Sequence, residues 1–257
     1  MIAMLSMGYN AVMENVWQRY EVAGHAVDWY LPAGLSRPLW GAIYLHGRDQ
    51  VLLRDEPYFT SWLERLQLAC AAPLGGEGWW VDKIAPSFDS QRSAEDYVVH
   101  EVVPWLERQW HLRVGRIGLF GVSLGGHGAL RLAFKYPKLF PVVSAISPTI
   151  DFYEAWGQGS ELDVMYSSRE HCRLDSALLH IQLESWPEAI YFCCDPADFW
   201  YRGNERLREK LTVMGIEHTC DLMTSAGGHS WDYFYRMAEP ALRFVRERLE
   251  RYSRRLL

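Results

Sequence analysis

The stretch from Gly115 to Tyr136 constrains the fold more than any other part of this chain. Ile117 to Val122 is a short apolar run suited to a buried strand, and His127 to Tyr136 has helical apolar spacing through Leu130 and Phe134. Between them stands Gly121-Val122-Ser123-Leu124-Gly125, a G-x-S-x-G pentapeptide. On a sharp strand-to-helix turn this pattern lifts the serine oxygen clear of the backbone, and the glycines let neighbouring elements approach closely. The helix N-terminus behind the serine points backbone N–H groups, Leu124 first, at any negative charge formed there. The pentapeptide alone also recurs by chance. At this point a glycine-rich turn with an idle serine stays open beside a nucleophile elbow.

The rest of the chain extends the alternation that this stretch begins. Trp17 to Tyr30 reads as an antiparallel hairpin around Gly24, ended by Leu31-Pro32-Ala33-Gly34. Trp40 to Leu45 is an apolar strand running into His46-Gly47-Arg48. In folds that carry the elbow, the loop after this strand supplies a second oxyanion N–H, which makes the Arg48 amide a candidate; His46 reads as a loop-shaping histidine. Helical spacing over Tyr58 to Leu68 precedes a strand at Ala69 to Pro73. The glycine-rich loop that follows carries Trp79 and Trp80, suited equally to lining a substrate pocket and to packing in the core. It lacks the G-K-[ST] of a phosphate cradle. Ser93 to Trp110 predicts a capped helix with a kink at Pro104. Val142 to Ile146 is a further buried strand.

From Asp151 to Trp186 periodicity weakens, and aromatics including Trp156 are scattered among polar residues. A small cap over the ligand crevice, with Trp156 on its wall, and a plain surface excursion both fit. Ala189 to Cys194 restores a strand, followed by an acidic loop through Asp195 and Asp198. Glu205 to Met214 is an amphipathic helix, Glu217 to Met223 a last strand, and Gly227-Gly228-His229 opens the approach to a terminal helix. Repeated alternation implies an α/β fold with a mostly parallel, doubly wound sheet, helices on both faces and an N-terminal antiparallel hairpin.

Composition excludes several classes. A chain of 257 residues without an obvious linker fits one α/β domain with a well-buried core. With 26 Lys+Arg against 32 Asp+Glu, no positive surplus advertises nucleic acid or an anionic membrane. The basic run from Arg243 to Arg255 keeps apolar residues at helical spacing, so it reads as a solvated helix face. No apolar run is long enough to span a bilayer, and the start of the chain, with Glu14 and Arg19, does not resemble a leader. Five cysteines without C-x-x-C spacing fit a reduced, cytoplasmic setting. Oligomeric state is open, a homo-oligomer included.

A serine hydroxyl is a weak nucleophile, so it needs a base within reach and a group to orient that base. With the elbow at Ser123, the partners follow in the order acid, then histidine, each on a loop after a later strand. Asp198 and His229 satisfy both conditions. Asp221 falls within a strand and Asp232 in the final helix, which makes both poor orienters. His127 reads as a packed helix residue, His171 has no ligand set at metal spacing, and no metal or cofactor is expected.

These residues also carry a resemblance. The run Tyr44-Leu45-His46-Gly47, the elbow with Gly126-His127-Gly128-Ala129-Leu130, the acid loop ending in Asp198, Asn204 and Leu207 beyond it, and Gly228-His229-Ser230-Trp231-Asp232-Tyr233 resemble the putative-esterase (esterase D-like) family of α/β hydrolases. The resemblance covers about residues 20 to 250 and implies a serine esterase working through an acyl-enzyme on a small-molecule ester. It implies Ser123 as nucleophile, His229 as general base and acid, and Asp198 as orienter. One position departs: Asp195 stands where the family usually has glycine, so two acids compete, with Asp198 favoured. A thioesterase or acyltransferase on the same residues is the nearest rival. S-formylglutathione hydrolysis fits less well, since the segment after Leu45 lacks the family's cysteine-containing oxyanion sequence. A non-catalytic binding module on the same scaffold is the reading from another class.

Overall fold

The computed structural model describes residues 17–255; the sequence reading of a leaderless start, with Glu14, lies outside them. Its strands are β1 (Gln18–Val22), β2 (His25–Tyr30), β3 (Gly41–Leu45), β4 (Ala69–Pro73), β5 (Ile117–Val122), β6 (Val142–Ile146), β7 (Ala189–Cys193) and β8 (Thr219–Asp221). They form one sheet in the order β1-β2-β4-β3-β5-β6-β7-β8. The β1–β2 and β2–β4 pairings are antiparallel and the rest are parallel. The central strands β3 to β7 are buried along their whole length, as expected for strands covered on both faces.

The helices are α1 (Pro57–Arg65), α2 (Ala94–Tyr97), α3 (Val103–Trp110), α4 (Leu124–Lys135), α5 (Phe152–Ala155), α6 (Glu161–Met165), α7 (Arg169–Leu174), α8 (Tyr201–Val213) and α9 (Trp231–Arg255). Side chains alternate along each strand, which divides the core in two. Ile43, Leu119, Val143 and Ile190 pack with residues of α3, α4 and α8, while Tyr44, Phe120, Val142 and Tyr191 pack with α1 and α9. This is the doubly wound arrangement that the alternation implies.

Three local outcomes differ from the sequence reading. The interruption expected at Pro104 is a π-helical turn over Val98–Val102, closed by the Val103 N–H to the Val98 carbonyl. Proline has no N–H to donate, so the chain takes the wider turn just before it. Helix α8 begins at Tyr201, ahead of the amphipathic run, because the buried Asn204 amide donates to the Pro148 and Trp200 carbonyls and fixes the first turn. The last strand is reduced to Thr219–Asp221, since Asp221 accepts from the Met223 and Thr224 amides and turns the chain away. Between β6 and β7 the weakly periodic segment folds as the short helices α5 to α7 and a 3-10 turn at Ala177–His180.

Candidate active site

The site is built on the junction of β5 and α4. Ser123 sits there with φ 53° and ψ −122°, a left-handed conformation that L residues avoid and that costs about 1–3 kcal/mol. The surroundings hold it: Ser123 N–H donates to the Ile146 carbonyl at 2.9 Å, and the Ser123 carbonyl accepts from Thr149 and His127 amides at 3.2 and 3.1 Å. The two motif glycines are a packing requirement. A Cβ on Gly125 collides with the Leu45 carbonyl, and one on Gly121 collides with the Gly125 backbone.

Three loops at the carboxyl ends of the strands converge over this turn. Ser123 Oγ lies 2.8 Å from His229 Nε2, and His229 Nδ1 lies 2.7 Å from Asp198 Oδ2. Asp198 Oδ1 accepts from the Trp200 amide at 2.8 Å, so both carboxylate oxygens are held. Its side chain is fully buried, whereas the His229 side chain keeps 16% exposure toward the cleft. A serine proton in such a chain can pass to Nε2 while the carboxylate holds the opposite ring nitrogen. Leu124, the first residue of α4, has an amide with no intrahelical partner, and the Arg48 loop borders the same cleft.

The cleft has a volume of about 230 Å³. Its floor is Ser123, Leu124 and Gly47; Trp79, Phe199 and Trp231 supply apolar wall, and Ala155, Gln158 and Ser160 close it from the 151–186 segment. Ser160 Oγ is buried there without a hydrogen-bond partner among the described residues. Phe199 is 68% exposed although its ring centroid is 4.9 Å from that of His229.

Of the aromatic residues singled out from sequence, Trp79 lines the cleft, whereas Trp80 and Trp156 do not. Trp80, offered from sequence for the pocket wall as much as for the core, packs in the core: its ring is wedged against Gly75 and Gly128, and its Nε1–H donates to the His46 carbonyl at 3.1 Å. Trp156 is half-buried against the core within the 151–186 segment, where its Nε1–H donates to the Tyr166 carbonyl and Arg169 lies over its ring. Consecutive aromatics point different ways, and spacing does not say which faces the site.

His46 and His127 are bound into the fold rather than into the Ser123 chain. His46 accepts from the Gly75 amide through Nε2 and contacts the Gly47 carbonyl through Nδ1, and burial lowers its pKa. His127 is completely buried and accepts from the Ala177 amide at 2.9 Å. Burial holds its pKa well below the usual imidazole value, so it remains neutral. Asp195 does not reach His229 among the hydrogen bonds of the described residues; it binds loop backbone instead. Asp232 is exposed at the start of α9. Among the described residues no three His, Cys, Asp or Glu side chains converge as a metal site, and no helix is long and apolar enough to cross a membrane.

The sequence reading missed a buried ion cluster. Arg131 on α4, only 1% exposed, pairs with Glu95 of α2 and with Asp175, just after α7. An arginine set among the apolar residues Leu130, Leu132 and Ala133 of α4 was the available signal.

The chain is similar to known esterases in sequence and fold. The family described as "Putative esterase" matches residues 68–243. An acetyl esterase of Caldicellulosiruptor saccharolyticus is 24% identical over 189 residues, 66% of this chain and 68% of that protein. An S-formylglutathione hydrolase of Paracoccus denitrificans (strain Pd 1222) is 32% identical over 84 residues, but this match spans only 32% of the chain and 30% of that enzyme. Among solved structures, an S-formylglutathione hydrolase from Agrobacterium tumefaciens superposes with TM-score 0.73 at 19% identity, covering 91% of this chain and 94% of that one. The serine hydrolase FphF of Staphylococcus aureus gives 0.75 at 16% identity, covering 90% and 97%. These two establish the α/β-hydrolase fold. Since the family match spans more than half of the chain, the protein belongs to the putative esterase family and is an ester-cleaving serine hydrolase.

Proposed function

We propose that Ser123 attacks the carbonyl carbon of a small carboxylic ester and carries the acyl group as a covalent intermediate. The observation that carries this reading is the hydrogen-bonded chain Ser123 Oγ, His229, Asp198 beneath an open cleft. His229 Nε2 takes the Ser123 proton as the C–O bond forms, and the Leu124 and Arg48 N–H groups hold the oxyanion. Collapse breaks the bond to the alcohol, which leaves with the proton from His229. Water then adds to the acyl-enzyme, His229 accepts its proton and returns it to Ser123 Oγ, and the carboxylic acid departs.

A cleft of about 230 Å³ is small for a ligand site, which favours a short acyl group or a short alcohol. The chain acts as one α/β domain with residues 151–186 as a small cap, a reading supported by the cap residues on the cleft wall. All the groups invoked come from one chain, so no second copy, nucleic acid or membrane is required. Five free cysteines, four of them buried, fit a cytoplasmic setting.

Fluorophosphonate labelling with peptide mapping, alongside turnover of short and long p-nitrophenyl esters, tests the reading. The expected result is stoichiometric label on Ser123, faster turnover of the short esters, and neither label nor turnover in Ser123→Ala. Full activity in that variant sinks it. Adding an acceptor alcohol and analysing products separates hydrolysis from acyl transfer.

A further inference from the structure

Asp195 is a fully buried carboxylate with no cation in ion-pair distance among the described residues. An isolated buried charge is costly, and here backbone and hydroxyl donors offset the cost. Oδ1 accepts from the Ala197 amide at 2.7 Å. Oδ2 accepts from the Ala226 amide at 2.6 Å and the Gly228 amide at 3.0 Å. Ser225 Oγ–H lies 3.1 Å from both oxygens. Burial pushes this carboxyl up, but those donors outweigh it, and its pKa ends below the ordinary carboxylate value.

The donors belong to two different loops. Ala197 lies in the turn that delivers Asp198, whose own amide donates to the Asp195 carbonyl at 2.9 Å. Ser225, Ala226 and Gly228 form the loop that delivers His229. The two loops also touch directly: Gly228, at φ +70°, leaves 3.2 Å between the place of its missing Cβ and the Ala197 carbonyl.

We infer that Asp195 is a positioning residue for the proposed His229–Asp198 pair, with one carboxylate setting both loops against each other. This rests on the reading of Ser123, His229 and Asp198 given above. Asp195 touches neither substrate nor reacting atoms. It acts by fixing the angle and distance at which the imidazole meets Ser123. The Asp195→Asn side chain keeps the shape but offers only one acceptor oxygen. Its NH₂ then faces either the Ala197 amide or the paired Ala226 and Gly228 amides, donor against donor.

The test compares Asp195→Asn with Asp198→Asn in the full chain, with kcat counted per fluorophosphonate-reactive site. The low-field proton resonance of His229 Nδ1–H is recorded for each. Asp195→Asn is expected to lower kcat about 100-fold at nearly unchanged KM, and to shift or broaden that resonance, because misplacing a catalytic group by about 1 Å has such effects. Wild-type kcat per reactive site, with fewer sites or a lower Tm, marks Asp195 as merely structural and overturns the inference. If Asp198→Asn also retains full activity, the reading of the triad fails with it. Should Asp195→Asn not fold, Ser225→Ala carries the test: it keeps the carboxylate, and a several-fold lower kcat with a shifted resonance is expected, against no change in either.

Discussion

Two buried acidic centres tie separate segments together, one the acid and histidine loops and the other α2, α4 and the 151–186 segment, and they do it by opposite means. On the histidine side, Asp195 has no counter-ion among the described residues and is met mainly by backbone amides. On the cap side, Asp175 and Glu95 are met by long side chains: Arg131 bridges them, Lys135 and the Tyr136 hydroxyl add to Glu95, and His180 and the Tyr166 hydroxyl add to Asp175. Backbone donors fix the path of a loop directly. Long side chains join elements across a gap and can relax along their stems, at the cost of desolvating several charges. The first device suits a part whose geometry governs the chemical step, and the second suits a part that must only stay closed. Changes on the histidine side should therefore appear in kcat, and changes on the cap side in stability and KM.

The largest expected effect lies on the histidine side. Replacing His229 by Ala leaves Ser123 without the base at 2.8 Å and is expected to lower kcat roughly 10⁶-fold, as when a triad member of this kind is removed. The Tm should move little, because the side chain is partly exposed to the cleft. A fall in kcat of less than about 100-fold in steady-state assays removes the contrast at its root.

On the cap side, Arg131→Met keeps an unbranched apolar stem but removes the charge that bridges two carboxylates, one of them almost wholly buried, leaving Glu95 to Lys135 and Asp175 to His180. Breaking a buried ion pair in this way costs about 3–5 kcal/mol. For a chain of this size that corresponds to a Tm lower by about 10 °C in calorimetry. At a temperature where the variant is folded, kcat should stay near wild type while KM rises, since Ala155, Gln158 and Ser160 reach the cleft from the cap. A fall in kcat with unchanged KM contradicts the division of labour.

The same cluster predicts a pH dependence. Burial alone raises the Asp175 carboxyl, but the His180 hydrogen bond, the Arg131 charge and the Tyr166 hydroxyl bring its pKa well below the usual value. A carboxyl with a depressed folded-state pKa contributes stability that is complete above its unfolded value of about 3.9 and is lost as pH falls through the folded one. Denaturant unfolding between about pH 5 and pH 2 should thus show a stability that declines with acid, and Asp175→Asn should flatten that decline. An equal slope in both proteins assigns the acid sensitivity to other groups.

Legibility followed the range of the physical cause. The elbow at Ser123 was readable because its glycines answer to steric limits within a few residues, and the strands β3 to β7 because complete burial leaves continuous apolar runs. The order of Asp198 and His229 was readable from loops after strands. The orientations of Trp80 and Trp156 were not, because a side chain's direction in an irregular loop depends on partners such as Gly128 and Tyr166 far away in sequence. Arg131 escaped for the same reason: its two acids lie 36 and 44 residues from it.

The smallest expected effect probes an apolar wall of the cleft on the histidine side. Phe199 stands 68% exposed beside His229, in the acid loop that Asp195 helps to hold. An aromatic ring left in water at the mouth of a cleft gains when an apolar ligand covers it, by about 1–2 kcal/mol for partial burial. The ring borders the imidazole that, in the proposed mechanism, hands its proton to the departing alcohol, so the alcohol half of the ester is the part that meets it. Phe199→Ala should therefore raise KM about fivefold to thirtyfold for phenyl or benzyl esters and leave methyl esters of the same acid unchanged. Its kcat should hold, because Asp198 keeps its bonds to Trp200 and His229 through groups that the substitution does not touch. An equal rise for methyl and benzyl esters places the ring's effect on the acyl half instead. A loss of kcat for both shows that the histidine side is held by side-chain packing as well as by the buried Asp195 carboxylate, and the contrast with the cap narrows accordingly.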